Sequence, residues 1–406
     1  MNNTKKNFVW NMIGATVNSF TSLIFMIVVT RINGTKEAGI FTFAFSLACL
    51  LQVISNYSGR TFQVTNTDKE IKDSDFVYNR ISSCIIMIIF IIMFLLAKNY
   101  GMYKNIIILL FILYKGIESF TDVFYGVIQK NDELYKVGVS LFLKGIIGVI
   151  NFLIFDFLTH NIIISISSLI LTNLAVTIFY DYKNFIPIYQ KNNYNSINNR
   201  KLFKLGIFVF GFTFLTQYML NAPKYAIDDL LSDEMQAIYG IVSMPASFIV
   251  LCSQFIIQPL LVKITNLIEN KENENLLKLC IKTISAILII GCISLVLAYF
   301  LGIQVLDLIY NVNLEDYLLP LLVIIVGATF FSMSFVISNV LTAMRKTFIQ
   351  IIFYIICSIV ILFLSKYMVL NYGVLGGTIS YAITMMALFA LYICYFTKVI
   401  RKKGDV

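Results

Sequence analysis

The chain is poor in charge, histidine and tryptophan. Asp, Glu, Lys and Arg together make up 13% of its 406 residues, and there is one histidine, His160, and one tryptophan, Trp10. A lone histidine in a short turn leaves little from which to build a zinc site or a histidine-based triad. The seven cysteines (Cys49, Cys84, Cys252, Cys280, Cys292, Cys357 and Cys394) all fall in apolar segments or at their edges, and no CxxC pair occurs. Neither a disulfide framework nor a thiolate metal site follows. There is no GxxxxGK[ST] loop for a nucleotide, and no metal or other cofactor is expected.

What is abundant is apolar surface: 59% of the residues are hydrophobic and the mean hydropathy is +0.83. A water-soluble globule is excluded. At about 20 apolar residues per crossing, the chain has room for roughly twelve membrane helices and no separate catalytic domain. Hydropathy places spans near 8–30, 38–58, 80–98, 103–127, 137–158, 161–180, 202–222, 235–262, 278–301, 315–342, 347–370 and 374–397. The runs are long and continuous, where barrel strands would alternate over about ten residues, so the fold class is all-α and polytopic. Lys5 and Lys6 precede an apolar run that resembles a signal peptide, but Asn11, Asn18 and Arg31 interrupt it, and it reads as a retained first helix.

An even number of spans puts both termini on one side. On that frame 23 basic residues lie on the side of the termini and six (Arg31, Lys36, Lys98, Lys104, Lys224, Lys366) on the other. The asymmetry predicts cytoplasmic termini in a bacterial cytoplasmic membrane. The net charge of +9 is thereby assigned to loops facing anionic lipid and not to nucleic acid. The Asn-rich stretch 182–201 falls near the midpoint and predicts a cytoplasmic linker between two six-helix halves, 1–181 and 202–406. Transporters are often built from such repeats.

Polar residues inside the spans are the candidate functional groups. In the fourth span Lys115, Glu118, Asp122, Tyr125 and Gln129 recur at i, i+3, i+7, i+10 and i+14, one helical stripe. Each lone charge there would cost at least ~2.5 kcal/mol, so the stripe must face protein or water. Lys144, in the fifth span at a depth close to that of Asp122, is expected to complete a balanced set with Lys115 against Glu118 and Asp122. Two readings stay open: a salt-bridge network locking helices together, or the polar wall of a translocation path with ion coupling through Glu118 or Asp122.

A second group comprises Asn11 and Asn18 in the first span, Arg31 at its outer end, Arg60 after the second, and Lys224 after the seventh. These are either interhelical glue and snorkelling cations or the binding groups for an anionic lipid head. The planar fork of arginine suits phosphate, which favours Arg31 and Arg60 for that role. Ser332, Asn339 and Thr342 form a comparable stripe in the tenth span, and Pro223, Pro245, Pro259 and Pro320 sit where helices cap or kink.

GRTFQVTNTDKE at 59–70, KGIESFTDVFYGVIQKNDEL at 115–134, APKYAIDDLLSDEMQAIYGIVSMPASFI at 222–249 and QPLL at 258–261 together resemble the oligosaccharide flippases of the multidrug/oligosaccharidyl-lipid/polysaccharide exporter superfamily, the relatives of O-antigen and capsule repeat-unit flippases. The resemblance implies two six-helix bundles around a central, generally cationic cavity that opens alternately inward and outward. It implies an undecaprenyl-diphosphate-linked oligosaccharide as substrate and membrane lipids as partners, with polysaccharide polymerase machinery as a further one. Arg60, Lys115, Glu118, Asp122, Gln129, Lys224 and Asp228 are the positions that match as motif members. The competing readings are a drug or cation antiporter of the same superfamily, a non-transporting scaffold of a polysaccharide assembly complex, and a polytopic polymerase or ligase. The short outer turns argue against the last.

Overall fold

The computed structural model describes residues 3–57, 59–66, 70–189 and 196–404, which are helical apart from short turns, with no strand among them. The long segments are α1 (Asn3–Asn33), α2 (Thr35–Ser55), α3 (Asp73–Ala97), α4 (Met102–Lys130), α5 (Leu134–Thr159), α6 (Ile162–Ile188), α7 (Ser196–Leu230), α8 (Asp233–Glu269), α9 (Asn273–Tyr310) and α10 (Glu315–Ala343). A continuous run, Thr347–Gly404, is divided by Gly373 (φ 57°, ψ −134°) into α11 (347–372) and α12 (374–404). Its positive φ suits a residue without a Cβ. Taking α11 and α12 as one, ten helices among the described residues are long and apolar enough to cross a membrane. Helix α4 stands apart because Lys115, Glu118 and Asp122 bring three charges into its middle. The all-α, polytopic architecture expected from hydropathy is what the chain adopts.

The helix ends differ from expectation where polar chemistry overrides hydropathy. Helix α3 starts at Asp73, seven residues before the expected 80, with Asp73 and Asp75 in its first turn. Carboxylates there complement the positive end of the helix, and Asp75 Oδ2 accepts the Lys72 amide at 2.9 Å. Helix α7 continues through Pro223 to Leu230, so Lys224 is helical and not part of an outer turn. Such prolines are tolerated where neighbours and local geometry satisfy the freed carbonyl. Helix α6 passes through a π-turn at Thr177–Tyr182 and extends into the expected linker. Residues 190–195 of that linker, Lys191 among them, and Lys69 of the 59–80 loop lie outside the described residues. Pro245 opens the second part of α8 and Pro259 a 3-10 turn within it.

The chain divides into two compact units, Met1–Phe214 and Leu215–Val406, with the boundary inside α7. In the first unit α1 lies along α5. A Cβ at Gly138 would run into the carbonyl of Trp10, and one at Gly145 would meet Val17. In a bilayer the apolar effect does not drive helices together, so close backbone approach through small residues does that work. Polar clamps fix both ends of the pair. Asn7 Nδ2 donates to Asp132 O at 2.9 Å and Asn7 Oδ1 accepts the Tyr135 amide at 2.9 Å. At the far end Asn33 Nδ2 and Ser165 Oγ each donate to Asp156 at 2.7 Å, tying α1, α5 and α6.

In the second unit Gln350 of α11 is the polar knot. Its Oε1 accepts from Ser338 Oγ at 2.7 Å and Tyr392 Oη at 3.1 Å, and its Nε2 donates to Thr342 Oγ1 at 3.1 Å, joining α10, α11 and α12. Thr342 of the tenth-span stripe is thus interhelical glue, while Asn339 returns its amide to Phe335 O at 2.7 Å.

Candidate functional site in the first unit

Helix α4 carries the charged stripe. Near its middle Lys115 Nζ lies 2.7 Å from Glu118 Oε2, which also accepts from Gln52 Nε2 of α2 at 3.2 Å. One turn on, Asp122 meets two arginines. Arg80 Nη2 of α3 is 3.4 Å from Asp122 Oδ2, and Arg60 Nε, from the short helix Gly59–Thr65, is 3.8 Å from Asp122 Oδ1. Arg80 is deeply held: its Nη1 donates to Ser55 O at 3.1 Å and to Asn56 Oδ1, and its side chain is 3% exposed. Arg60 at 32% and Asp122 at 25% remain reachable.

The next turn of α4 presents Tyr125, whose hydroxyl is shared with Ser140 Oγ at 2.8 Å and accepts from Lys144 Nζ at 3.1 Å. Lys144 and Arg60 both lie against the Tyr125 ring, at 5.4 and 6.0 Å from its centroid. Lys144 forms its ion pair with Asp181 Oδ2 of the α6 π-turn at 2.9 Å, and the Asp181 side chain is 1% exposed. Among the described residues the cluster therefore holds four cations (Arg60, Arg80, Lys115, Lys144) and three carboxylates (Glu118, Asp122, Asp181).

This corrects the balanced set read from α4 and α5 alone. Lys144 is matched by Asp181, not by Glu118 or Asp122, and Asp122 is matched by arginines outside the hairpin. Arg80 and Asp181 escaped sequence reasoning because each lies at the margin of an apolar run, where hydropathy assigns residues to loops. The signal for them was the cost of leaving Lys144 and Asp122 unmatched in a bilayer. Gln129, 14 residues along α4 from Lys115, is half-buried and is not drawn into the cluster.

The other candidates of the first unit do not join this cluster. Arg31 is exposed in the last turn of α1, whereas Arg60 follows the far end of α2. The 21 residues of α2 separate them by about 30 Å at ~1.5 Å per residue, so they cannot clamp one phosphate. Asn11 and Asn18 are half-buried on α1 and stay outside the cluster. Lys224 is half-buried in α7 and belongs to the second unit.

What the arrangement holds is an accessible guanidinium, Arg60, beside a fixed one, Arg80, both facing Asp122 of α4.

No protein-family model matches the chain. Over 397 residues it is 21% identical to the capsular polysaccharide biosynthesis protein CapF of Staphylococcus aureus, covering 97% of this chain and 99% of that one. Among solved structures, a multidrug resistance MATE family transporter of the MOP superfamily in its inward-facing conformation superposes with a TM-score of 0.73 at 13% identity, over 98% of this chain and 99% of that one. The lipid II flippase MurJ in an inward closed conformation superposes with a TM-score of 0.75 at 13% identity, over 95% and 87%. The chain has the fold of these transporters.

Proposed function

We propose that the protein is a flippase for lipid-linked oligosaccharides in surface polysaccharide synthesis. It moves undecaprenyl-diphosphate-linked glycan units from the inner to the outer leaflet of the bacterial cytoplasmic membrane by alternating access between two six-helix halves, with both termini cytoplasmic. The observation that carries the reading is the α4 cluster, with four cations to three carboxylates among the described residues and Arg60 as its most accessible cation. Similarity along nearly the whole chain to a capsular polysaccharide biosynthesis protein supports the substrate class. The polymerase that consumes flipped units is the expected downstream partner.

In this reading Arg60 engages the diphosphate while Arg80, anchored to the α2 carbonyl of Ser55, holds Asp122 in register. Export of about two negative charges from an inside-negative cell gains roughly 2.3 kcal/mol per charge per ~100 mV. Membrane potential alone can then drive the step without a nucleotide. A cation antiporter would instead need a carboxylate free to take the cation, and here Glu118, Asp122 and Asp181 each face a basic side chain.

The test is translocation of a fluorescent undecaprenyl-diphosphate oligosaccharide in proteoliposomes under an imposed potential and without nucleotide. Potential-dependent transport by the wild type supports the flippase. A folded protein that moves no glycan lipid, but exchanges protons for organic cations, overturns it in favour of the antiporter.

A further inference from the structure

The face of α4 turned away from the charged stripe borders an apolar groove of about 980 Å³ in the first unit, walled by α3, α4 and α6. Leu109, Leu113, Gly116, Phe120 and Phe124 line it from α4. At 100° per residue they lie roughly half a turn around the helix from Lys115, Glu118 and Asp122. The groove is deep at Gly116, where there is no side chain and the next atom beneath is Met87 Cε, 3.4 Å from where a Cβ would stand. Along α3 it runs from Val77 to Ile92, about 22 Å at ~1.5 Å per residue, well beyond one leaflet of a core ~30 Å thick.

One end of the groove is chemically distinct. Tyr182 and Tyr189 line it there, as aromatic residues do where hydrocarbon gives way to head groups. Lys72, just ahead of α3, and Lys183, next to Tyr182, are both exposed at that end. The nearby carboxylates are Asp73, paired with Lys130 at 2.9 Å, Glu70, 3.6 Å from Lys201, Asp181, which faces Lys144, and Asp75, which accepts from the Lys72 amide and from Asn198 at 3.0 Å and keeps its charge. With Lys72 and Lys183 counted beside these partners, five cations stand against four carboxylates among the described residues, and the two cations without a carboxylate in this set, Lys72 and Lys183, are the exposed ones.

We infer that this groove is a binding site for one anionic phospholipid, with an acyl chain laid along α3 and α4 and its phosphate held by Lys72 and Lys183. The site is separate from the transport reading and stands whether or not that reading does. It seats the lipid against three elements that also build the charged cluster, α3 with Arg80, α4 with its stripe and α6 with Asp181. The π-turn of α6 contributes Thr177, Ile178 and Tyr182 to the groove and Asp181 to the ion pair with Lys144. A tail in the groove thus packs against the backs of helices that hold the cluster in place.

The experiment uses the full chain in phosphatidylcholine nanodiscs doped with phosphatidylglycerol or phosphatidylcholine bearing a diazirine in the acyl chain, with adducts mapped by peptide mass spectrometry. Adducts are expected to concentrate on residues 81–92 and 109–120, on the order of tenfold more with phosphatidylglycerol, given the attraction per lysine near an anionic head. Gly116→Trp, which fills the groove, should remove them while labelling on Asn273–Leu297 of α9 is retained. If that variant does not fold, Lys72→Gln with Lys183→Gln serves in its place and should abolish the preference for phosphatidylglycerol while acyl labelling persists. Labelling spread evenly over the apolar faces, or equal labelling by both lipids in the wild type, overturns the proposal.

Discussion

Lys144 Nζ and Asp181 Oδ2 stand 2.9 Å apart between α5 and α6, with both side chains shut off from the surroundings. Removing one partner of such a pair leaves an unmatched buried charge and costs roughly 3–5 kcal/mol, whereas removing both is far milder. Lys144→Met and Asp181→Asn are each expected to lower thermal stability in detergent markedly, and the double variant to recover more than half of the loss. Thermal unfolding followed by size-exclusion fluorescence reads this directly. Additive losses in the double variant would mean the two residues act independently.

Arg60 and Arg80 share Asp122 but differ in setting, and the difference separates binding from folding. Arg60→Ala removes a cation that is 32% exposed and should leave stability within about 0.5 kcal/mol. Its effect is expected on transport, which should fall at least tenfold, with Arg60→Lys recovering part because a point charge replaces the fork. Arg80→Ala removes a guanidinium anchored to Ser55 O and Asn56 and should destabilise by several kcal/mol. Parallel measurement of unfolding and glycolipid transport distinguishes the two. Equal loss of stability in both variants would contradict the division of roles.

The close approach of α1 and α5 is testable at Gly138. A Cβ there would strike the Trp10 carbonyl and the Asn11 amide, backbone atoms that cannot swing aside. Gly138→Val should cost at least 1–3 kcal/mol by overpacking and reduce the yield of folded protein. Gly211 has nothing near its would-be Cβ, so Gly211→Ala should be neutral or stabilising by up to about 1 kcal/mol. Comparing unfolding temperatures of the two variants checks the packing.

Much of this architecture is legible in the chain because a bilayer forces it: backbone groups must be satisfied within each span, so apolar length translates into helices. The spacing of Lys115, Glu118 and Asp122 likewise puts them on one face of a helix by periodicity alone. Their partners cannot be read the same way. Arg80 is 42 residues from Asp122 and Asp181 is 37 from Lys144, so pairing depends on which helices pack together, and local periodicity carries no record of that. Hydropathy fails at Pro223 for a related reason. It registers a helix breaker, while the surrounding helices determine whether the break occurs.

Under the proposed reading, Asp122 decides whether the cluster binds anions only or also couples to protons. Neutralising it raises the charge excess of the cluster by one and takes from the buried Arg80 its carboxylate, so Asp122→Asn should lose some stability, while the contacts to Ser55 and Asn56 keep Arg80 in place and the variant folded. Freed from the carboxylate 3.8 Å away, Arg60 should hold a diphosphate more tightly. The gain is bounded by what a partly exposed ion pair withholds, up to ~1 kcal/mol or about fivefold. Calorimetric titration with a short-chain prenyl diphosphate at low salt reads this, and weaker binding than wild type would show that Asp122 supports the anion site and does not compete with it. Transport by the same variant, driven separately by a potential and by a proton gradient, then addresses coupling. If the response to the potential persists and the response to the gradient vanishes, the proton travels through Asp122. If both persist, Asp122 serves only to set the two arginines.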